Sequence, residues 1–227
     1  MQRVGDFWVP DIDMRWFARW GKIRRKTIRR YKYEGGGDFS ALRSALSMVP
    51  NGRVAIDGGA NVGAASRILA NHFERVLSFE PAEDTFAALS QNIIDWELAG
   101  RVTARACALS DESAKVGMGS RRGQRSVSRR VTGSGTIDAI TLDALELDDV
   151  DFIKLDVEGH ELSALKGASA TLIRCRPAVL FEDKPDKLRG QGDAQDPHSF
   201  LRSLGAEQVA CLGPKQFDYL YRFPNRE

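Results

Sequence analysis

Three short clusters in this chain carry the side chains able to bind a nucleoside or move a proton. Asp57-Gly58-Gly59-Ala60-Asn61-Val62-Gly63 follows one apolar run, Phe79-Glu80-Pro81 a second, and Leu155-Asp156-Val157-Glu158-Gly159-His160 a third. Glycines in the first let backbone approach a ligand closely, and free N–H groups at a following helix start favour a carboxylate or phosphate. Glu80, 17 residues after Gly63, suits the two hydroxyls of a ribose. Turn and acid together describe a nucleoside site. The third cluster offers acid–base chemistry: His160 has the ordinary pKa nearest neutrality and fits a general base, with Asp156 orienting acceptor or cofactor. Two other readings compete for it. Asp156, Glu158 and His160 are ligand types that suit a divalent metal, and Glu158 with Glu161 would also neutralise a helix start while His160 hydrogen-bonds there.

These clusters act together only if the elements before them end on one rim. Asp38 opens a helix carrying Phe39, Leu42, Leu46 and Val49, closed by Pro50-Asn51-Gly52. Strand and helix then alternate: Arg53 to Asp57, Asn61 to Phe73, Arg75 to Phe79, Glu83 to Glu97 and Val102 to Ala108. Thr141 to Leu145 reads as a helical turn, followed by a strand from Phe152 to Asp156, a helix from Glu161 to Leu172, a strand from Pro177 to Glu182 and a helix from His198 to Leu204. Glu207 to Leu212 and Asp218 to Phe223 close the chain as two strands of a hairpin. This rhythm predicts an α/β fold with a seven-stranded, mostly parallel sheet, helices on both faces and an antiparallel C-terminal hairpin. In such sheets ligands bind outside the carboxyl ends of the strands, at the topological switch point. Asp57, Gly58, Gly59, Ala60, Asn61, Gly63, Glu80, Pro81, Ala108 and Asp156 are the expected cofactor contacts on that rim.

The kind of nucleoside follows from what the turn lacks. A dinucleotide turn reads G-x-G-x-x-G, and its second glycine makes room for pyrophosphate. Ala60 departs from that pattern, and Asp57 immediately before the turn would repel phosphate while attracting an ammonium group. S-adenosylmethionine has an ammonium, a carboxylate and a ribose, with no phosphate. An NAD-dependent oxidoreductase is the weaker enzyme reading, since no Tyr-x-x-x-Lys pair accompanies the turn.

Ile56 to Gly63, Phe79-Glu80-Pro81, Thr141-Leu142-Asp143 and Asp151-Phe152-Ile153-Lys154-Leu155-Asp156-Val157-Glu158-Gly159-His160-Glu161 together resemble the FkbM family of class I S-adenosylmethionine-dependent methyltransferases. The match spans residues 50 to 185. It implies a Rossmann-like fold, S-adenosylmethionine as cofactor and O-methylation of a hydroxyl on a sugar or small metabolite. On that basis residues 38–227 form the methyltransferase domain and 1–37 a basic arm or cap.

The charge is divided the same way. The formal net charge is +2, yet residues 1–33 hold ten Lys or Arg against three Asp, a net of +7, so the rest nets −5. Within the arm Ile12, Trp16, Trp20, Ile23 and Ile28 recur at near-helical spacing among basic residues, which suits either packing on the domain or an anionic partner. A nucleic-acid- or membrane-binding module on a methyltransferase-like fold is therefore the non-enzyme alternative. Residues 117–136 carry five Arg among Gly and Ser and read as a loop or hairpin, and 190–197 read as a lid-like breaker cluster. No apolar run reaches the roughly 20 residues of a membrane span. Three widely spaced cysteines without a CxxC pair and no apolar leader point to a cytoplasmic protein.

Overall fold

The computed structural model describes residues 1–11, 38–50, 52–119, 130–183 and 196–224. The amphipathic stretch of the arm, the centre of the Arg-rich insert and most of the lid-like cluster lie outside them.

Seven strands build the main sheet: β3 (Gly52–Gly58), β4 (Phe73–Phe79), β5 (Val102–Arg105), β9 (Val150–Leu155), β10 (Ala178–Glu182), β11 (Glu207–Leu212) and β12 (Asp218–Arg222), in the order β11-β12-β10-β9-β3-β4-β5. Only β12 runs against the others, pairing antiparallel with both β10 and β11. Chain order reverses between β3 and its two neighbours, β4 and β9, so the switch point lies at the carboxyl end of β3.

Apolar faces on both sides bury the sheet. Helices α1 (Ser40–Ser47), α2 (Ala64–Leu69) and α3 (Glu83–Asp95) cover one side through Leu42, Ala45, Leu69, Leu89 and Ile93. Helices α4 (Glu161–Lys166), α5 (Ser169–Cys175) and α6 (Pro197–Ser203) cover the other through Leu165, Leu172 and Leu201. A hairpin of β1 (Gln2–Val4) and β2 (Phe7–Val9) packs Phe7 and Val9 against Val62 and Ala88. Asn92 fixes it, accepting from Trp8 N–H at 2.6 Å and donating to the Trp8 carbonyl at 3.0 Å. A three-stranded sheet of β6 (Ala108–Leu109), β7 (Ala114–Gly119) and β8 (Arg130–Ile140) stands apart, so the described ends of the insert are hairpin strands.

Several expected elements change shape for local reasons. The helix predicted from Asn61 to Phe73 is one short turn-and-a-half, because Phe73 is needed in β4, where it stacks on Phe152 at 5.6 Å. The strand predicted to reach Ala108 ends at Arg105, and Ala108 pairs with Ala139 in the smaller sheet. The helix predicted from Glu161 to Leu172 breaks at Gly167, where any Cβ would collide with the Ser110 carbonyl oxygen. The fresh N-terminus of α5 is capped by Asp143, whose carboxylate accepts from Ala170 N–H at 2.9 Å and Thr171 N–H at 2.8 Å.

Candidate functional site

The three clusters meet at the carboxyl ends of β3, β4 and β9. Gly58 lies beside Phe79 and Leu155, and Asp156 N–H donates to the Gly58 carbonyl at 3.0 Å. Gly59 closes the approach: its φ is +73°, and a Cβ there would overlap the Asp156 carbonyl oxygen.

The donors of the turn are used within the chain. Gly59 N–H and Ala60 N–H both donate to the Phe79 carbonyl at 3.0 Å, Gly63 N–H donates to Ala60 at 2.9 Å, and Asn61 N–H donates to Glu80 Oε2 at 2.9 Å. The other Glu80 oxygen accepts from Ala82 N–H at 2.9 Å. The expected cradle of free N–H groups is thus absent at these four positions, because the turn folds back onto β4. Gly63 serves helix packing instead: a Cβ would lie 2.7 Å from Leu89 Cδ1. Glu80 is 7% exposed at the tip of β4, with Pro81 partly buried behind it.

Asp57 also departs from expectation. It is fully buried, and its carboxylate accepts from Ser66 Oγ at 2.7 Å and from Lys154 Nζ at 2.9 Å. Its charge is paired with Lys154, because β3 and β9 are registered with Asp57 opposite Lys154. Lys154 was not singled out from sequence as a site residue, although it lies inside the Asp151 to Glu161 run; a lone Lys in a buried strand is the signal that marks it. Its Nζ also donates to the Gly59 carbonyl at 3.2 Å, tying the turn to β9. Desolvation alone would lower its pKa, yet the charges of Asp57, Asp156 and Glu80 hold it above the ordinary lysine value.

Asp156 is exposed on the rim. Glu158 and Gly159 after it both take positive φ, 55° and 96°, and the chain turns so that His160 faces Ser110, its Nε2 lying 3.0 Å from Oγ. Among the described residues no three His, Cys, Asp or Glu side chains gather as a group that could hold a metal ion. Burial pushes the His160 pKa below its ordinary value, with Asp111 acting in the opposite sense. Ala108, 4% exposed, sits on β6 rather than on the rim of the main sheet.

His198 bridges Tyr221 Oη at 2.9 Å and Asp183 Oδ2 at 3.1 Å, and so pins α6 to the end of β10. Glu161 takes the buried place that a helix start offers an acid, accepting from Val157 N–H at 3.1 Å and Gly159 N–H at 3.2 Å. Desolvation nonetheless raises its pKa from 4.5 to about 7, with the Asp156 charge adding to the rise. The folded protein therefore holds a proton that the unfolded chain releases between those values. The associated stability is full below pH 4.5 and is lost as pH rises through about 7. A span of this size corresponds to about 3 kcal/mol. Glu161→Gln keeps an acceptor oxygen without a charge, so urea unfolding at pH 5 and pH 8 should differ less than in the parent protein; an equal difference would assign the pH dependence elsewhere.

Comparison with known proteins gives the family and the fold. The family model for the methyltransferase FkbM domain matches residues 57–207. The hexuronic acid methyltransferase AglP of Haloferax volcanii is 32% identical over 144 residues, covering 60% of this chain and 58% of its own length. The crystal structure of the FkbM methyltransferase from Methylobacillus flagellatus superimposes with a TM-score of 0.57 at 22% identity, over 82% of this chain and 47% of that one. A putative rRNA methylase from Clostridium thermocellum shares the fold at a TM-score of 0.50 and 12% identity, over 84% and 99% of the two chains. The chain therefore spans about half the length of the first two proteins it resembles. Its glycine turn, the acid ending β4 and the Asp156 to Glu161 loop all fall inside the matched segment, and the chain belongs to the FkbM methyltransferase family.

Proposed function

We propose that the protein is an S-adenosylmethionine-dependent O-methyltransferase acting on a hydroxyl of a small sugar-type acceptor. One observation carries the choice of cofactor. The turn that would meet pyrophosphate in a dinucleotide enzyme has its N–H groups bound to Phe79, Ala60 and Glu80, and a carboxylate sits against it. Such a turn repels phosphate and accepts hydroxyls. Asn61 supports the fit: its Oδ1 is buried without a hydrogen-bond partner beside Glu80, an acceptor that a bound amine or hydroxyl would satisfy.

When bound, S-adenosylmethionine supplies the electrophilic methyl group. The chain supplies placement and proton handling. Glu80 would hold the ribose hydroxyls, Gly58 and Gly59 give close approach at the switch point, and exposed Asp156 orients the acceptor. His160 takes the acceptor's proton, a contribution of roughly 10²- to 10⁴-fold for a general base. The relative that acts on a hexuronic acid supports the sugar class of acceptor.

Calorimetry tests the cofactor. S-adenosylmethionine and S-adenosylhomocysteine should bind and NAD should not, and Glu80→Ala should weaken S-adenosylhomocysteine by about 10- to 100-fold through loss of charge-assisted bonds. Tighter binding of NAD would overturn the assignment.

A further inference from the structure

We propose that Ser110 and Asp111 are positioning residues that hold His160 with its proton on Nε2 and its lone pair on Nδ1. The inference deepens the reading of His160 as the base and rests on it for its functional meaning, though not for its chemistry.

Three groups form a chain. Ser110 Oγ lies 3.0 Å from Asp111 Oδ1 and 3.0 Å from His160 Nε2. A hydroxyl has a single proton, and an ionised carboxylate only accepts. The charged acceptor makes the stronger bond, so the Ser110 proton points to Asp111. The Ser110 oxygen is then an acceptor towards Nε2, and Nε2 must carry hydrogen. A neutral imidazole protonated there has its basic nitrogen at Nδ1. In the transfer, Nδ1 would take the acceptor hydroxyl's proton, the O–H electron pair would form the bond from oxygen to the methyl carbon, and the carbon–sulfur pair would leave on sulfur as the neutral thioether product.

The fold holds this chain in place from several sides. Ser110 is buried, its N–H donates to the Ile140 carbonyl at 2.9 Å, and Gly167 packs on its carbonyl oxygen without room for a Cβ. The helix break at Gly167 therefore has a consequence for chemistry: it seats the serine that faces His160. His160 in turn is set at the start of α4 by the positive-φ pair Glu158 and Gly159. Burial lowers the ring's pKa below its ordinary value, and Asp111 acts in the opposite sense.

Nitrogen-15 spectra of histidine-labelled full-length protein at pH 8 read the tautomer without turnover, with the His160 signals identified by their absence in His160→Gln. The expected result is the Nε2–H tautomer in the parent protein. Ser110→Ala should give a mixture of both tautomers, and Ser110→Thr should restore the single form. Asp111→Asn provides a second variant on an exposed side chain: its amide can donate to Ser110, turning the serine proton towards Nε2 and shifting His160 to the Nδ1–H form. An Nδ1–H tautomer in the parent protein, or spectra unchanged by Ser110→Ala, would overturn the relay. Methyl transfer to glucuronic acid separates this from the base assignment. Slow turnover in His160→Ala, Ser110→Ala and Asp111→Asn with KM for the sugar held supports both. Full turnover in His160→Ala removes the base role, as methylation of an already ionised carboxylate would, while the nitrogen spectra still decide the relay.

Discussion

Lys154→Met is expected to lower the free energy of unfolding by about 3–5 kcal/mol, the range for removing one partner of a buried ion pair. Asp57 is 0% exposed and pairs with the Lys154 ammonium at 2.9 Å, itself 12% exposed. Among the described residues the carboxylate then keeps the Ser66 hydroxyl and loses its paired charge. Asp57→Asn combined with Lys154→Met removes both charges and should recover most of the loss, so the two substitutions are strongly non-additive. Urea unfolding of the four proteins in this cycle measures the coupling. A loss below about 1 kcal/mol in Lys154→Met, or simple additivity, would show that the pair does not hold the turn to β9. Because Nζ also bonds the Gly59 carbonyl, S-adenosylhomocysteine affinity should fall with the single substitution.

The second large effect belongs to Gly59. Its φ of +73° costs an alanine about 1–2 kcal/mol, and the new Cβ would strike the Asp156 carbonyl oxygen, a backbone atom that cannot rotate away. Gly59→Ala is therefore expected to destabilise by more than the backbone cost alone and to displace Asp156 from the rim. Misplacement by about 1 Å is enough for roughly 100-fold in rate. Gly100→Ala is the control: nothing lies within 4 Å of its Cβ position, so stability and turnover should hold. Thermal unfolding reads the stability of both variants, and methyl transfer to the proposed sugar acceptor reads their turnover. Equal behaviour of the two would show that the turn and β9 can separate without cost.

Much of this was legible along the chain, and the exceptions share a cause. The strand and helix rhythm gave the sheet, because burying a parallel strand on both faces demands continuous apolar runs such as Val54 to Ile56 and Phe152-Ile153. The acid after β4 and the glycine turn after β3 were visible as local motifs, and both lie at the switch point. The ion pair of Asp57 was not legible because it depends on a residue 97 positions away, brought opposite by the register of β3 and β9. The single helix after His160 was misjudged for a similar reason: Gly167 looks tolerable within a helix, and only contact with Ser110 requires the break.

Sequence by itself determined the order of the seven main-sheet strands along the chain, the α/β class and the residue types at the ends of β3, β4 and β9, since periodicity and turn chemistry are local properties of neighbouring residues. Tertiary structure alone decided which charges are neutralised, which N–H groups stay available and which nitrogen of His160 faces Ser110. Those outcomes depend on strand register and on contacts between segments 50 to 97 residues apart, where burial turns a visible side chain into a paired one.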